Sequence, residues 1–265
     1  MYPVIVCIAK REHKYIEEFI KYHLYLGFKH IYLYDNEDEP TYEKLLSNYA
    51  KDITVIHLPF NNYHKGIQYI ALDDFTKKYI HSSNNITHIT HIDIDEFIVL
   101  KKHNNIEDLI NEYIVGDCQG LAMNWRFFGS SGKTEQTDEP VTIRFTKCQK
   151  NGDGHIKTIF KKDYFIEWPN TPHYVKFSKG FTKSTNNEII KGYINNNYSF
   201  DVIQLNHYKS KTLPEFIYIR ARGDVGVPGP VKENVHENFK IYDRNDIEEL
   251  SAYNFYKKIL DSEKN

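Results

Sequence analysis

The sequence predicts an α/β protein built on a mostly parallel, doubly wound sheet, and three observations carry that expectation. Short apolar runs alternate with segments of helical period through the first hundred residues. One of these runs, Thr87 to Ile92, leads straight into the carboxylate pair Asp93-Ile94-Asp95. The chain of 265 residues is long enough for one large domain of this kind.

The elements follow in order. Val4 to Ala9 is a strand, and Lys14 to Leu26 is a helix with Ile16, Phe19, Ile20 and Leu24 on one face and Gly27 as its C-cap. His30 to Tyr34 is a second strand, ending in Asp35-Asn36 and followed by a helix from Thr41 to Tyr49. Ile53 to Leu58 is a third strand, and Gly66 to Ile80 a helix with Ile67, Ile70, Ala71 and Phe75 turned inward. The strand into Asp93 is the fourth. Four strands separated by helices imply parallel pairing.

The second half is less regular. Ile106 to Ile114 reads as a short helix, Gly120 to Arg126 as a strand, and Phe127 to Gly132 as a tight loop of small residues. Between Val141 and Phe181, aromatic and basic residues alternate with turn signals, as in a mixed sheet over a substrate groove. Val202 to Tyr208 is a strand, Leu213 to Arg222 a helix, Gly223 to Pro230 a Gly/Pro-rich loop that serves as a lid, and Asn245 to Leu260 the final helix.

Composition excludes several classes. Thirty-four Lys and Arg against 36 Asp and Glu leave a formal charge of -2, so there is no basic footprint for a nucleic-acid partner. Cys7, Cys118 and Cys148 are far apart and odd in number, which suggests neither a disulfide framework nor a zinc cluster and fits a reducing compartment. The apolar run at the amino end is too short to span a membrane and lacks a signal-peptide pattern. The expectation is a soluble, cytoplasmic protein without a transmembrane segment. Tyr-rich stretches near the C-terminus are read as core or as the surface of a homodimer.

The Asp-x-Asp pair carries the chemistry. Two carboxylates one residue apart at a strand's carboxyl end point the same way, where open α/β sheets bind ligands. They call for a cation, and a hard divalent ion with part of its shell left for substrate phosphates is the natural occupant. Glu96, by alternation, faces away and pairs with a surface base. His88 and His91 lie three apart and so face opposite sides. The G-x-G-x-x-G fingerprint is absent after the first strand, which ends instead in Ala9-Lys10-Arg11-Glu12.

The ordered set Ala9-Lys10-Arg11-Glu12, Glu18-Phe19-Ile20-Lys21-Tyr22-His23, Gly27, Ile31 to Asn36, Gln68 and Ile92 to Phe97 resembles glycosyltransferase family 92 and related family-2-like enzymes of the GT-A fold. The match continues through Asn124 to Gly132, Asn206-His207-Tyr208, Lys211-Thr212, Glu215-Phe216 and Arg222-Gly223, so it covers roughly Val4 to Asp224. The resemblance implies a single GT-A domain over residues 1–265, with a nucleotide-sugar-binding half to about residue 100 and an acceptor-side half beyond it. It implies a UDP-sugar donor, a glycan or small-molecule hydroxyl acceptor, Mn²⁺ or Mg²⁺, and inversion at the anomeric carbon.

By that resemblance Asp95 binds the metal directly, while Asp93 holds the ribose or a metal-bound water. His207 is the candidate third ligand. Lys211, assisted by Arg222, is placed to neutralise the diphosphate as a point charge. Uracil and ribose are expected against Ala9, Lys10, Arg11, Glu12, Asp35, Asn36 and Gln68. Trp125 and Arg126, with the glycines after them, are expected to meet donor sugar or acceptor, Trp125 as an apolar stacking face. The acceptor-side base is sought among Asp224, Glu215 and Glu139, with Asp224 preferred. The family pattern places an acidic residue just before Arg-Phe, whereas Ile143 precedes Arg144-Phe145 here. Two rivals share part of this pattern: a sugar nucleotidyltransferase and a non-catalytic carbohydrate-binding module.

Overall fold

The computed structural model describes residues 1–59, 66–83, 85–221 and 234–264. Strands β1 (Pro3–Ala9), β2 (His30–Asp35), β3 (Ile53–His57) and β4 (His88–His91) pair in parallel, in the spatial order β4-β1-β2-β3. The expected parallel sheet is therefore present. The chain moves outward from β1 through β2 to β3, then returns to lay β4 on the other side of β1. That reversal opens a crevice at the carboxyl ends of β1 and β4, the place where such sheets take their ligands.

Both faces of this sheet are covered. Ile5, Cys7 and Ala9 of β1 belong to one apolar cluster with α1 (Ile16–Tyr25), while Val4, Val6 and Ile8 belong to another with α2 (Ile67–Phe75). Period-two alternation distributes a wholly apolar strand between two helical layers in this way. α1 begins with Glu17 and Glu18 in its first turn and ends at Gly27, whose φ of 110° few other residues adopt. The expected helix over Thr41 to Tyr49 is instead a short α-turn, Tyr42–Leu45, and a 3-10 turn, Ser47–Tyr49.

After β4 the sheet becomes mixed. β5 (Glu96–Leu100) turns out of the β4 plane, α3 (Ile106–Tyr113) follows it, and β6 (Cys118–Phe127) is buried along its whole length. β7 (Ile156–Lys161) runs antiparallel to both β4 and β6 and joins the two halves. β8 (Phe181–Lys183) and β9 (Ile189–Ile190) extend the far edge. β10 (Ile203–His207) lies antiparallel to β5 and parallel to β6, completing a ten-stranded sheet.

α4 (Leu213–Arg220) starts with a capping box, Thr212 with Glu215. α5 (Val235–Tyr242) was not expected from the sequence. The final helix α6 is Ser251–Ser262, shorter at its start than the expected one, because Ile247–Glu248 pairs as a strand with Lys147–Cys148. Cys7, Cys118 and Cys148 are buried and unbridged. No helix among the described residues is long and apolar enough to cross a membrane.

Candidate active site

The turn between β4 and β5 presents the Asp-x-Asp pair at the crevice. Its frame is internal: the Asp93 amide donates to Glu96 Oε2 at 2.8 Å, and the Glu96 amide donates to the Asp93 carbonyl at 3.0 Å. Asp93 Oδ1 accepts from Gln68 Nε2 at 3.0 Å, and Oδ2 accepts from Lys157 Nζ at 3.0 Å. Lys157 also lies 3.4 Å from Glu96 Oε2, and neither Lys157 nor Glu96 reaches solvent. Glu96 is thus a buried member of the site rather than the partner of a surface base. The tight turn after β4 breaks the strand alternation on which that expectation rested.

One lysine cannot neutralise two carboxylates. Burial raises the Asp93 carboxyl, but Lys157 and His91 outweigh it and hold the group below the ordinary carboxylate range. For Glu96, burial dominates over Lys157 and, with the charge of Asp93, pushes the carboxyl well up. The proton deficit of the cluster is therefore carried by Asp93, the one carboxylate of the two with surface in the crevice. His91 faces Gln68, with Nε2 2.8 Å from Nε2 of that residue, while His88 contacts Thr87 on the other side of the strand.

Asp95 is tied to β10, since its carbonyl accepts from the Tyr208 amide at 2.8 Å. His207 Nε2 stands 3.6 Å from Asp95 Oδ1, too far for a good hydrogen bond. Its Nδ1 is buried without a hydrogen-bond partner among the described residues. Burial lowers the His207 pKa against the opposing pull of Asp95, which favours a neutral imidazole. Trp125 and Phe127 flank that imidazole, with ring centroids 4.5 Å and 5.0 Å away.

Among the described residues no three His, Cys, Asp or Glu side chains already converge as a metal cage. A neutral imidazole whose Nε2 faces a carboxylate across a gap is nonetheless a donor pair suited to a divalent ion. Asp95 and His207 face each other across that gap, while the Asp93 oxygens accept from Gln68 and Lys157.

Lys211 is almost fully buried, with its ammonium 4.6 Å from the ring of Tyr15 and its backbone at φ 50°. Tyr15 in turn donates to Glu215 at 2.8 Å. Arg11, at φ 60°, donates to the Tyr218 carbonyl at 3.2 Å and, through its amide, to Glu37. A cleft of about 340 Å³ lies among Arg11, His13, Lys14, Tyr15, Gln136 and Tyr218. Lys10 meets Asp38 at 3.2 Å, and the Glu12 amide donates to the Tyr42 hydroxyl at 2.9 Å.

Several residues expected to meet ligand are occupied elsewhere. Asp35 is fully buried, and its oxygens accept from the amides of Glu37, Thr41 and Tyr42 at 3.0, 2.7 and 3.1 Å. It shapes the loop after β2. Asn36 donates to the Ala9 and Leu58 carbonyls, which ties the ends of the first three strands together. Arg126 lies on the opposite face of β6 from Trp125 and donates to the carbonyls of Gln149 and Lys150 and to Gln204.

The loop after Phe128 is likewise structural. The amides of Ser130 and Ser131 donate to Asp243 and Asn245, and a Cβ on Gly129 would strike the Arg244 backbone. Glu215 cannot serve as a base, because it is buried in a two-point ion pair with Arg144 at 2.6 and 3.2 Å. Glu139 is exposed on the surface. Asp224 and Arg222, together with the expected lid from Gly223 to Pro230, lie outside the described residues.

Lys157 and His173 are the site residues that sequence reasoning missed. The signal for Lys157 was a single basic residue inside the apolar run Ile156 to Phe160, a strand that both neighbours cover. His173 donates from Nδ1 to the Ile156 carbonyl at 2.9 Å and edges the Trp125 ring at 5.1 Å.

With this geometry in hand, the comparisons with known proteins are decisive on ancestry. Residues 2–252 match the family model for glycosyltransferase family 92. The chain belongs to that family. A family 92 protein of Oryza sativa subsp. japonica is 24% identical over 168 residues, which is 61% of this chain and 27% of the rice protein. The family 92 chain described here thus spans about a quarter of that relative.

Among solved structures, S. aureus TarS 1-349 is similar at a TM-score of 0.39 and 12% identity, covering 98% of this chain and 71% of that one. HddC from Yersinia pseudotuberculosis reaches 0.37 at 13% identity, covering 69% and 89%. These are loose likenesses. The GT-A arrangement is seen in the family 92 chain itself: a parallel N-terminal sheet, a carboxylate pair at the end of its fourth strand, and a mixed sheet beyond.

Proposed function

We propose that this chain is a glycosyl-transfer domain that moves a sugar from a UDP-sugar to a hydroxyl acceptor, with inversion and with the help of a divalent ion. The observation that carries the reading is the Asp95–His207 pair. Two neighbouring elements, the β4–β5 turn and the end of β10, bring a carboxylate and a neutral imidazole to within 3.6 Å at the mouth of the crevice. Membership of a glycosyltransferase family supports the reaction class.

Breaking an anomeric C–O bond leaves charge on the departing diphosphate, and that charge needs fixed cations. Asp95 and His207 would hold Mn²⁺ or Mg²⁺, which supplies part of that neutralisation. Lys211, four residues beyond His207, supplies another part from a buried position where an ammonium acts more strongly than in water. Asp93 keeps the turn in place through Gln68 and Lys157 and offers its remaining surface to the donor. Trp125 presents an apolar ring beside His207, suited to a sugar face. Uracil and ribose rest against the strand ends from Ala9 to Glu12, with Asp35 and Asn36 shaping that wall from behind.

A panel of UDP-sugars, assayed for release of UDP with and without Mn²⁺, tests the proposal. Metal-dependent UDP release from at least one donor is expected. Neither a nucleotidyltransferase nor a carbohydrate-binding module would produce it.

A further inference from the structure

The transfer reaction needs a base for the acceptor hydroxyl, and the segment Asn151-Gly152-Asp153-Gly154-His155 has the geometry for one. His155 Nδ1 lies 2.6 Å from Asp153 Oδ1, and the same oxygen accepts from the His155 amide at 2.8 Å. A carboxylate at Nδ1 selects the tautomer that carries its proton there and leaves the Nε2 lone pair available. The His155 side chain keeps 42% of its surface exposed. Its ring stacks on Trp125 at 5.1 Å, and Trp125 edges His207 at 4.5 Å. The dyad therefore stands one aromatic ring away from the Asp95–His207 pair.

The segment is rigidly held. The Asp153 amide donates to the Trp125 carbonyl at 2.9 Å. The carbonyls of Asp153 and Gly154 accept from Asn124 Nδ2 at 3.0 and 3.3 Å, and Gly154 also accepts from the Asn195 amide at 2.7 Å. A Cβ at Gly152 would strike the Phe200 and Tyr198 rings, and one at Gly154 would strike Asn196. Two glycines let the backbone pack closely on both sides of Asp153, and the carboxylate is fixed between them. Such preorganisation is what positioning a base requires.

We propose that His155, oriented by Asp153, is the base that accepts the proton of the acceptor hydroxyl. As that O–H proton passes to Nε2, the acceptor oxygen forms its bond to the anomeric carbon. The bond from that carbon to the phosphate oxygen breaks, and its electron pair leaves on the nucleoside diphosphate. Asp153 stabilises the imidazolium formed and is a positioning residue. This assignment rests on the glycosyl-transfer reading above.

The test uses the full chain, a UDP-sugar that the wild type turns over, and water as the acceptor. His155→Phe keeps the stack on Trp125 but has no ring nitrogen, and His155→Ala opens room for free imidazole. Both should lower kcat by about 10²–10⁴-fold and leave UDP affinity measured by calorimetry unchanged. Added imidazole should restore turnover to His155→Ala but not to His155→Phe. Asp153→Asn should lower kcat without raising the donor KM. Wild-type kcat in either His155 variant, or a rise in KM alone, overturns the assignment and leaves the transfer reading standing. A wild type that releases no UDP from any donor overturns both.

Discussion

Lys157 donates to Asp93 across 3.0 Å from a position with no solvent exposure, so the first carboxylate of the Asp-x-Asp pair is held from within the sheet. The lysine comes from β7, in the second half of the chain, and the aspartate from the end of β4. Breaking a buried ion pair by removing one partner leaves an uncompensated charge, at a loss of about 3–5 kcal/mol. Lys157→Met should therefore lower the free energy of unfolding in urea by that amount. Adding Asp93→Asn should recover part of it, because the charge left without its partner sits on Asp93 and is then removed. Equilibrium unfolding of the single and double variants gives the answer.

Asp95→Ala and His207→Ala should each remove the divalent dependence of UDP binding. Calorimetric titration of UDP with and without Mn²⁺ reads this directly. Equal affinity in both conditions for the wild type would refute the assignment of these two residues.

Lys211→Met should reduce kcat on the order of 10²-fold, the usual loss when one electrostatic stabiliser is removed, with little change in the acceptor KM. A donor whose leaving group has a lower pKa should recover part of the deficit, since the missing contact acts on departure. A change confined to acceptor KM would place Lys211 on the acceptor side.

Arg126→Met separates a structural arginine from a ligand-binding one. Two buried acceptors and one part-buried one lose their donor, which should cost roughly 2–4 kcal/mol of stability. The donor KM of the folded fraction should stay at its wild-type value.

Acid stability should depend on Glu215. Burial raises its carboxyl, but hydrogen bonds from Arg144 and Thr212 outweigh that and place it below its ordinary value of 4.5. A depressed folded pKa adds stability above the unfolded value, and this is lost as pH falls through the folded one. Glu215→Gln should therefore flatten the decline in melting temperature below about pH 4.5. An unchanged acid limb would show that other carboxylates dominate it.

The parallel sheet, the Asp-x-Asp turn and the strand ending in His207 were legible because each leaves a local trace: an apolar run, a fixed offset, a strand end. The interior of the site was less legible for a physical reason. Glu96 and Lys157 are 61 residues apart, 157 − 96, and each looks like a surface residue until the partner is brought to it. Asp35 and Arg126 erred the other way. Buried amides claimed the first and carbonyls the second, and backbone hydrogen-bond demand has no sequence period. The short strand at Ile247–Glu248 depends on a partner a hundred residues earlier, so helix periodicity alone overran it.

The bridging position of β7 limits how this fold could be rebuilt. A cut after Leu100 would strip β4 of its β7 neighbour and β5 of its β10 neighbour, leaving two unpaired edges on the N-terminal fragment. The two halves of the chain are therefore not interchangeable modules. A chimera that borrows a new C-terminal half from a relative would have to import the lysine that anchors Asp93 along with it. Grafts are better attempted in the loops, where the seams between strands are left intact.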